Sequence, residues 1–354
     1  MHNKYFWIAL CISVSISDLG SEAEAPGAPN PQTLSSEAQA LKDEALVKYL
    51  NENQNLFKAK ITTASHSFEH RIMSHKFKKQ NSKLPVLKYG KDANDDIPPS
   101  FDSREHWPDC PSLKYVRDQA NCGSCWAVSS AGAMSDRICI ATKGAKKVIL
   151  SATDILSCCG DVCGDGCEGG YATKAWEFFK EDGVVSGGNY LSKGCCRPYP
   201  VHPCGEHHGI DYGECLFGAN TPECHRRCQP GFRKQYRMNK FYGKSVYLLN
   251  GVEDIQRDIM KNGPVVALFE VFEDFNLYNS GIYKHTAGES TGWHAVKVVG
   301  WGSENNTDFW IIANSWNDDW GEQGFFRIIR GVNECTIEED MIAGLVDDDV
   351  ERIF

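Results

Sequence analysis

The stretch "NCGSCWAVSSAGAMSDRIC", Asn121 to Cys139, holds three cysteines, of which only Cys125 is followed at once by a tryptophan and a run of small residues. Behind it, Ala127, Val128, Ala131, Met134 and Ile138 follow helical spacing. A thiol with an ordinary pKa near ~8.5 is mostly protonated at neutral pH, so a nucleophilic cysteine needs a helix N-terminus, a cationic partner, or both. Cys125 stands where the helix pattern begins, and Gly123 lets backbone come close to it. Gln119, six residues upstream, is near enough to offer a side-chain N–H to a developing oxyanion, and Trp126 could shield the site from water.

A base and an orienting group must come from elsewhere. His294 in "GWHAVKVVGWG" opens one predicted strand and Asn314 in "ANSWNDDWG" closes another, so two neighbouring strands could bring both to the cysteine. His294 would take the thiol proton, and Asn314 would accept a hydrogen bond from the other ring nitrogen to fix its orientation. Alone, a strand-end histidine is usually structural and an asparagine before serine often only turns the chain.

The elements that must carry these residues read in a consistent order. "SATDILSC" opens with Ser151 and Asp154 in capping-box register, "YATKAWEFFKEDG" stops at Gly183, and Val252 to Asn262 closes at Gly263-Pro264. "VVALFEVF", "HAVKVVGW", "DFWIIANSW" and "GFFRIIRG" read as strands. Helices first and strands later imply an α+β arrangement of two lobes.

Met1 to Ser17 reads as a secretory signal, with Lys4, a mostly apolar run from Tyr5 to Val14, and small residues after it. That run is too short to span a bilayer of about 30 Å, so no membrane span is expected. Sixteen cysteines in a chain entering an oxidising compartment mean disulfides before zinc, which disfavours a zinc or redox reading of Cys122-x-x-Cys125; no cofactor or metal is expected. Composition shifts near residue 95: residues 18 to 96 lack cysteine, carry a helical pattern at Leu41, Ala45, Leu46 and Leu50, and balance 11 Lys+Arg against 11 Asp+Glu. From Ile97 onward the count is 25 against 36, which argues against nucleic acid as a partner. We therefore expect a removable segment, 18–96, joined at "KDANDDIPPS" to a disulfide-rich domain, 97–354. Its basic stretch His70–Lys83 would face the acidic domain, an attraction that carboxylate protonation at low pH would weaken.

At these residues the sequence resembles the papain family of cysteine peptidases, whose signature is Cys-Gly-Ser-Cys-Trp with His and Asn downstream. An extra stretch, Cys195 to Cys228 with adjacent His207 and His208, is similar to the occluding loop of the cathepsin B-like branch. "FDSREHWPDCPS", "CCGDVCGDGCEGGY", "NGPV" and the "YLNENQNLFKAKI" of the early segment carry the same likeness. The resemblance implies a papain-like two-lobed fold, a helical N-terminal lobe and a β-barrel-like C-terminal lobe with the active-site cleft between them. It implies Cys125 as nucleophile, His294 as base, Asn314 as orienter and Gln119 as oxyanion donor. Gly169, Gly170 and Trp316 would line the cleft, and Asp340 would sit in the P2 pocket, giving apolar P2 preferred and Arg tolerated. His207 and His208 would bind a substrate's C-terminal carboxylate and add peptidyl-dipeptidase activity to an endopeptidase. The transferred disulfides are Cys110–Cys139, Cys122–Cys167, Cys158–Cys224, Cys159–Cys163, Cys196–Cys228 and Cys204–Cys215, leaving Cys125, Cys195 and Cys335 free.

The early segment would be an inhibitory propeptide, the other partners being protein and peptide substrates and cystatin-type inhibitors, with a secreted or lysosomal location. "FWIIANSWNDDWGE" is close to a segment of gut enzymes of blood-feeding nematodes, which adds the gut lumen as a location. Asn305 begins a glycosylation sequon. Departures from the pattern carry expectations too. A salt bridge from Asp118 to His207 is retained, but the arginine that pairs with the Asp319 position is replaced by Tyr212, so a more mobile loop is expected. Trp293 stands in place of a glycine beside the base and would narrow the cleft, and Ala120-Asn121 replaces Gly-Ser before the cysteine and would constrain the turn. The alternative from another class is a catalytically silent, disulfide-rich secreted binding protein.

Overall fold

The computed structural model describes residues 35–61, 68–78, 82–90 and 96–346. The expected signal, Met1–Ser17, and residues 91–95 of the joining stretch lie outside them. The helix Cys125–Ala141 is the axis of the molecule: Ala127, Val128, Ala131, Met134 and Ile138 are buried as the spacing predicts, but so are Ser129, Ser130, Asp136 and Arg137. A helix apolar on one stripe is thus enclosed on all sides, and its polar side chains must find partners inside. Asp136 pairs with Lys297 at 2.7 Å, and Arg137 reaches Asp258, Tyr247 and the Pro264 carbonyl.

The capping and stop signals hold. Ser151 accepts a hydrogen bond from the Asp154 N–H at 3.1 Å to start the helix Ala152–Cys158, and Gly183 at φ 73° follows the helix Ala172–Glu181. The helix Val252–Asn262 ends at Gly263.

Nine strands form one large sheet, whose spine is Ser290–Glu304, flanked antiparallel by Val265–Phe272 and Thr307–Ala313. Successive side chains of this strand point to opposite faces. Val296, Val298 and Trp301 enter one core with Phe269, Phe275 and Phe326, while Trp293 and Ala295 enter the other with Trp126 and Trp176. The two lobes are therefore the two faces of one strand. The strand order runs from Phe57–Ala59 at one end to Tyr247–Leu249 at the other, where Leu248 bridges Val86, and among the described residues these ends do not pair with each other, so the sheet is not a closed barrel.

The segment before residue 97 is built into this sheet. In the helix Asp43–Asn53, Leu46 and Leu50 are buried, and the strand Phe57–Ala59 pairs antiparallel with Tyr278–Tyr283. Further on, Tyr89 donates to Asp258 at 2.6 Å and Lys88 pairs with Asp254 at 3.0 Å.

All six transferred disulfides are present, with Cys125, Cys195 and Cys335 free. Asn305 and Asn306, exposed and with φ of 49° and 60°, make the tight turn after Glu304. The Arg137–Asp258 pair lies wholly inside the protein, so Asp258→Ala should leave an uncompensated cation and cost about 3–5 kcal/mol. Urea unfolding of the full-length chain measures this, and a loss under about 1 kcal/mol would contradict the buried-pair argument.

Candidate active site

Cys125 is the first residue of the central helix, wholly buried, with its Sγ accepting the Ala295 N–H at 3.3 Å. His294, on the neighbouring strand, donates from Nε2 to Asn314 Oδ1 at 2.8 Å, and its Nδ1 has no hydrogen-bond partner among the described residues. Nδ1 is thus the nitrogen left to take a proton. Its strand starts earlier than expected: His294 is the fifth residue of Ser290–Glu304, paired with Phe269, because Ser290 and Gly292 still pair with the strand Val265–Phe272. Asn314 does follow the last residue of Thr307–Ala313.

Gln119 is fixed from both sides: its Oε1 accepts from Ser315 Oγ at 2.7 Å, and its backbone N–H donates to the Ser315 carbonyl at 2.9 Å. Its Nε2 therefore points one way, and it donates to the carbonyl of Arg71 at 2.8 Å. The sequence alone gave no sign of Ser315's part. Ala120 sits at φ 49°, a left-handed conformation that costs a residue with a Cβ roughly 1–2 kcal/mol, so the lost glycine does strain this turn.

Residues 68–78 fill the cleft. Met73 exchanges backbone hydrogen bonds with Trp293 at 2.8 and 3.0 Å, and Ser74 donates to the Glu168 carbonyl at 3.3 Å. Phe68 packs on Trp316 with ring centroids 4.5 Å apart, and Trp316 lies 4.9 Å from the His294 ring. Gly169, at φ 131°, leaves room for Phe77: a Cβ there would come within 2.4 Å of the Phe77 ring. Gly170 packs equally closely on Trp126, so both glycines line the wall, but the segment's hydrogen bond goes to Glu168. This enclosure governs the chemistry. Burial pushes the Cys125 thiol up to about 12 against the N–H of Ala295, and pushes His294 down to about 4 against its bond to Asn314. Covered, the pair is held toward its neutral form.

A profile of the papain family of cysteine proteases matches residues 97–345. The chain belongs to the papain family. It is 56% identical over 347 residues to cathepsin B-like cysteine proteinase 2 of Haemonchus contortus, covering 97% of this chain and 98% of that protein. It is 54% identical over 349 residues to cathepsin B-like cysteine proteinase 1 of Ostertagia ostertagi, covering 97% and 99%. Among solved structures, procathepsin B S9 of Trypanosoma congolense superposes with a TM-score of 0.73 at 35% identity, covering 87% of this chain and 99% of that one. The papain-like fold and a cysteine-type peptidase follow from these matches, and nothing in them favours the silent binding protein.

Within this papain-family frame, the loop is held more firmly than its missing arginine suggests. His207 Nδ1 bonds both carboxylate oxygens of Asp319 at 3.0 and 3.1 Å, and its Nε2 lies 3.8 Å from Asp118. One histidine serves both acids, which corrects the expectation that Asp319 lost its tether. Asn121, which replaces a serine, adds a second anchor: its Nδ2 donates to the carbonyls of Cys215 and Phe217, and its own carbonyl accepts from Ala219 at 2.7 Å. His208 is exposed and bonds Asp318 at 2.6 Å.

The pocket on the opposite side of the cysteine is a 170 Å³ cavity lined by Phe77, Gly170, Ala172, Leu248, Trp293 and Asp340. Trp293 does add bulk, as one wall of this cavity, with Lys78 Nζ 5.7 Å from its ring.

Proposed function

We propose that residues 18–96 are an inhibitory propeptide and that the domain from about residue 97 cleaves peptide bonds through a Cys125 thioester. The observation that carries this reading is the Arg71 carbonyl on Gln119 Nε2, a backbone carbonyl resting on the donor that would stabilise an oxyanion. With the segment gone, water returns, the thiol proton passes to His294 Nδ1, and Asn314 holds the imidazolium through Nε2. The thiolate attacks the scissile carbonyl, the oxygen takes up charge beside Gln119, and His294 returns the proton to the leaving amine. Water activated by the same ring then hydrolyses the thioester.

His207 is buried and tied to Asp319, so in this reading it anchors the loop while exposed His208 meets a substrate carboxylate by displacing Asp318. The enzyme then works as an endopeptidase with peptidyl-dipeptidase activity. Asp340, in a largely apolar pocket, supports apolar P2 residues with Arg tolerated. The signal-like N-terminus supports a secreted or lysosomal site of digestion, gut lumen included; cystatin-type inhibitors would compete for the same cleft, and the exposed Asn305 would carry a glycan. Incubating acid-matured protein with a quenched peptide tests the core of the proposal. Turnover blocked by one equivalent of an epoxysuccinyl inhibitor supports it, and a folded protein with neither turnover nor label refutes it.

The loop tether has a pH signature. Burial alone would lower His207, but the bond to Asp319 and the charge of Asp118 outweigh it and raise its pKa above 6.5. Burial alone would raise Asp319, yet His207 holds it below 3.8. The His207 contribution is whole below about 6.5 and lost as pH rises through its raised value; the Asp319 contribution is whole above about 3.8 and lost as pH falls through its lowered one. The tether is therefore strongest in weak acid, and the ratio of internal to C-terminal dipeptide cleavage should rise several-fold from pH 5 to pH 8. Product analysis at the two pH values checks this, and a flat ratio would exclude His207 as the tether.

A further inference from the structure

Arg71 is the one residue of the covering segment whose guanidinium goes under the occluding loop. It is fully buried, its Nη2 lies 3.5 Å from the Cys204 carbonyl and 3.9 Å from Cys215 Sγ, and its Nε and Nη1 make no hydrogen bond among the described residues. Burial depresses its pKa, and the charges of Asp118 and Asp319 oppose that most strongly. On the other side, Asp118 Oδ2 is also buried without a hydrogen bond among the described residues. Donors without a hydrogen bond thus feel the charge of a carboxylate whose Oδ2 has only the ion pair with His207 at 3.8 Å.

Charge counting shows what departure of the segment leaves behind. Asp118 and Asp319 then share a single imidazolium, His207, which leaves one excess negative charge against the loop. Apart from histidines, of which His208 is engaged by Asp318, the loop supplies no replacement: between Arg197 and Arg226 the sequence has no lysine or arginine, while Glu206, Asp211, Glu214 and Glu223 add acids.

We infer that the matured enzyme has an acidic subsite beneath the occluding loop, formed by Asp118 and Asp319, that accepts a guanidinium or ammonium side chain from the substrate. Arg71 is its occupant in the precursor. Because Phe68 lies on Trp316 and the Arg71 carbonyl on Gln119, this subsite belongs to substrate residues after the scissile bond, on the loop side of Cys125. The inference rests on the protease reading above and adds a specificity to it that Asp340, across the cleft, does not provide.

The test uses protein freed of its segment and paired peptides carrying arginine or citrulline, which has nearly the same shape without the charge, at the first or second position after the cleaved bond. At pH 6 and low salt, arginine should raise kcat/KM by about tenfold or more at one of the two positions, the size of a charge-assisted hydrogen bond. Asp118→Asn, and separately Asp319→Asn, should shrink that ratio toward one. Equal rates for arginine and citrulline at both positions, or a ratio untouched by both variants, would overturn the subsite. Binding of the same peptides to protein carboxymethylated at Cys125, read by fluorescence anisotropy, separates the two claims. Tighter arginine binding without turnover of unmodified protein keeps the subsite and sinks the protease reading, whereas equal binding sinks the subsite even if every peptide is cut.

Discussion

His294→Ala is expected to lower kcat for peptide hydrolysis by about four orders of magnitude or more, and to abolish labelling of Cys125 by an epoxysuccinyl inhibitor in the matured protein. The geometry leaves no substitute. Nε2 is committed to Asn314 at 2.8 Å, so the thiol depends on Nδ1 of this one ring, and what Cys125 Sγ accepts is the Ala295 backbone N–H at 3.3 Å. An N–H can stabilise a thiolate but cannot accept its proton. Asn314→Ala should cost less, since it frees the ring to rotate without removing the base. Mapping the labelled residue by mass spectrometry decides the matter: label on Cys125 in His294→Ala at the wild-type rate would mean that another group activates the thiol.

Where the candidate site residues sit was legible because it rests on short patterns. Cys125 at a helix start, His294 in a strand and Asn314 after one needed only periodicity and spacing, and the helix caps at Ser151 and Gly183 carried their own residue signals. What stayed hidden depends on long-range packing. The strand Phe57–Ala59 is three residues long, exists only because Tyr278–Tyr283 offers an edge, and has no periodicity of its own to read. Asn121 looked like a lost serine and proves to bind the loop, and Asp319 looked unpartnered because its new partner, His207, was assigned to another acid. Buried Arg137 and Asp258 are likewise 121 residues apart, a separation across which composition says nothing.

The precursor's thiol should react with an epoxysuccinyl reagent at least about a thousandfold more slowly than the matured thiol at pH 7.5. A buried thiol near 12 is ionised at that pH to the extent of only on the order of one part in 10⁴ to 10⁵, whereas a thiolate–imidazolium pair is charged in most molecules. Arg71 and Ile72 also lie over the site, with the Arg71 carbonyl on Gln119 and the Ile72 carbonyl close to Gly123. Uncovering moves a proton from sulfur to His294 and binds none from solvent, so this step contributes no pH dependence to activation. Acid can loosen the carboxylates that hold cations of this segment, such as Asp165 with Lys76 and Asp254 with Lys88, and can charge His207, whose imidazolium the Arg71 charge opposes. Release should then accelerate as pH falls, since protonation removes a carboxylate's hold on its cation. Asp319, held below its ordinary value, would be among the last to let go, so Arg71 should leave the loop after the flanking lysines are free. Labelling rates and processing rates measured on one precursor between pH 3.5 and 7.5 check both halves. Similar labelling before and after maturation would mean that the cover does not neutralise the thiol, and a processing midpoint near 6.5 would place the trigger on an imidazole.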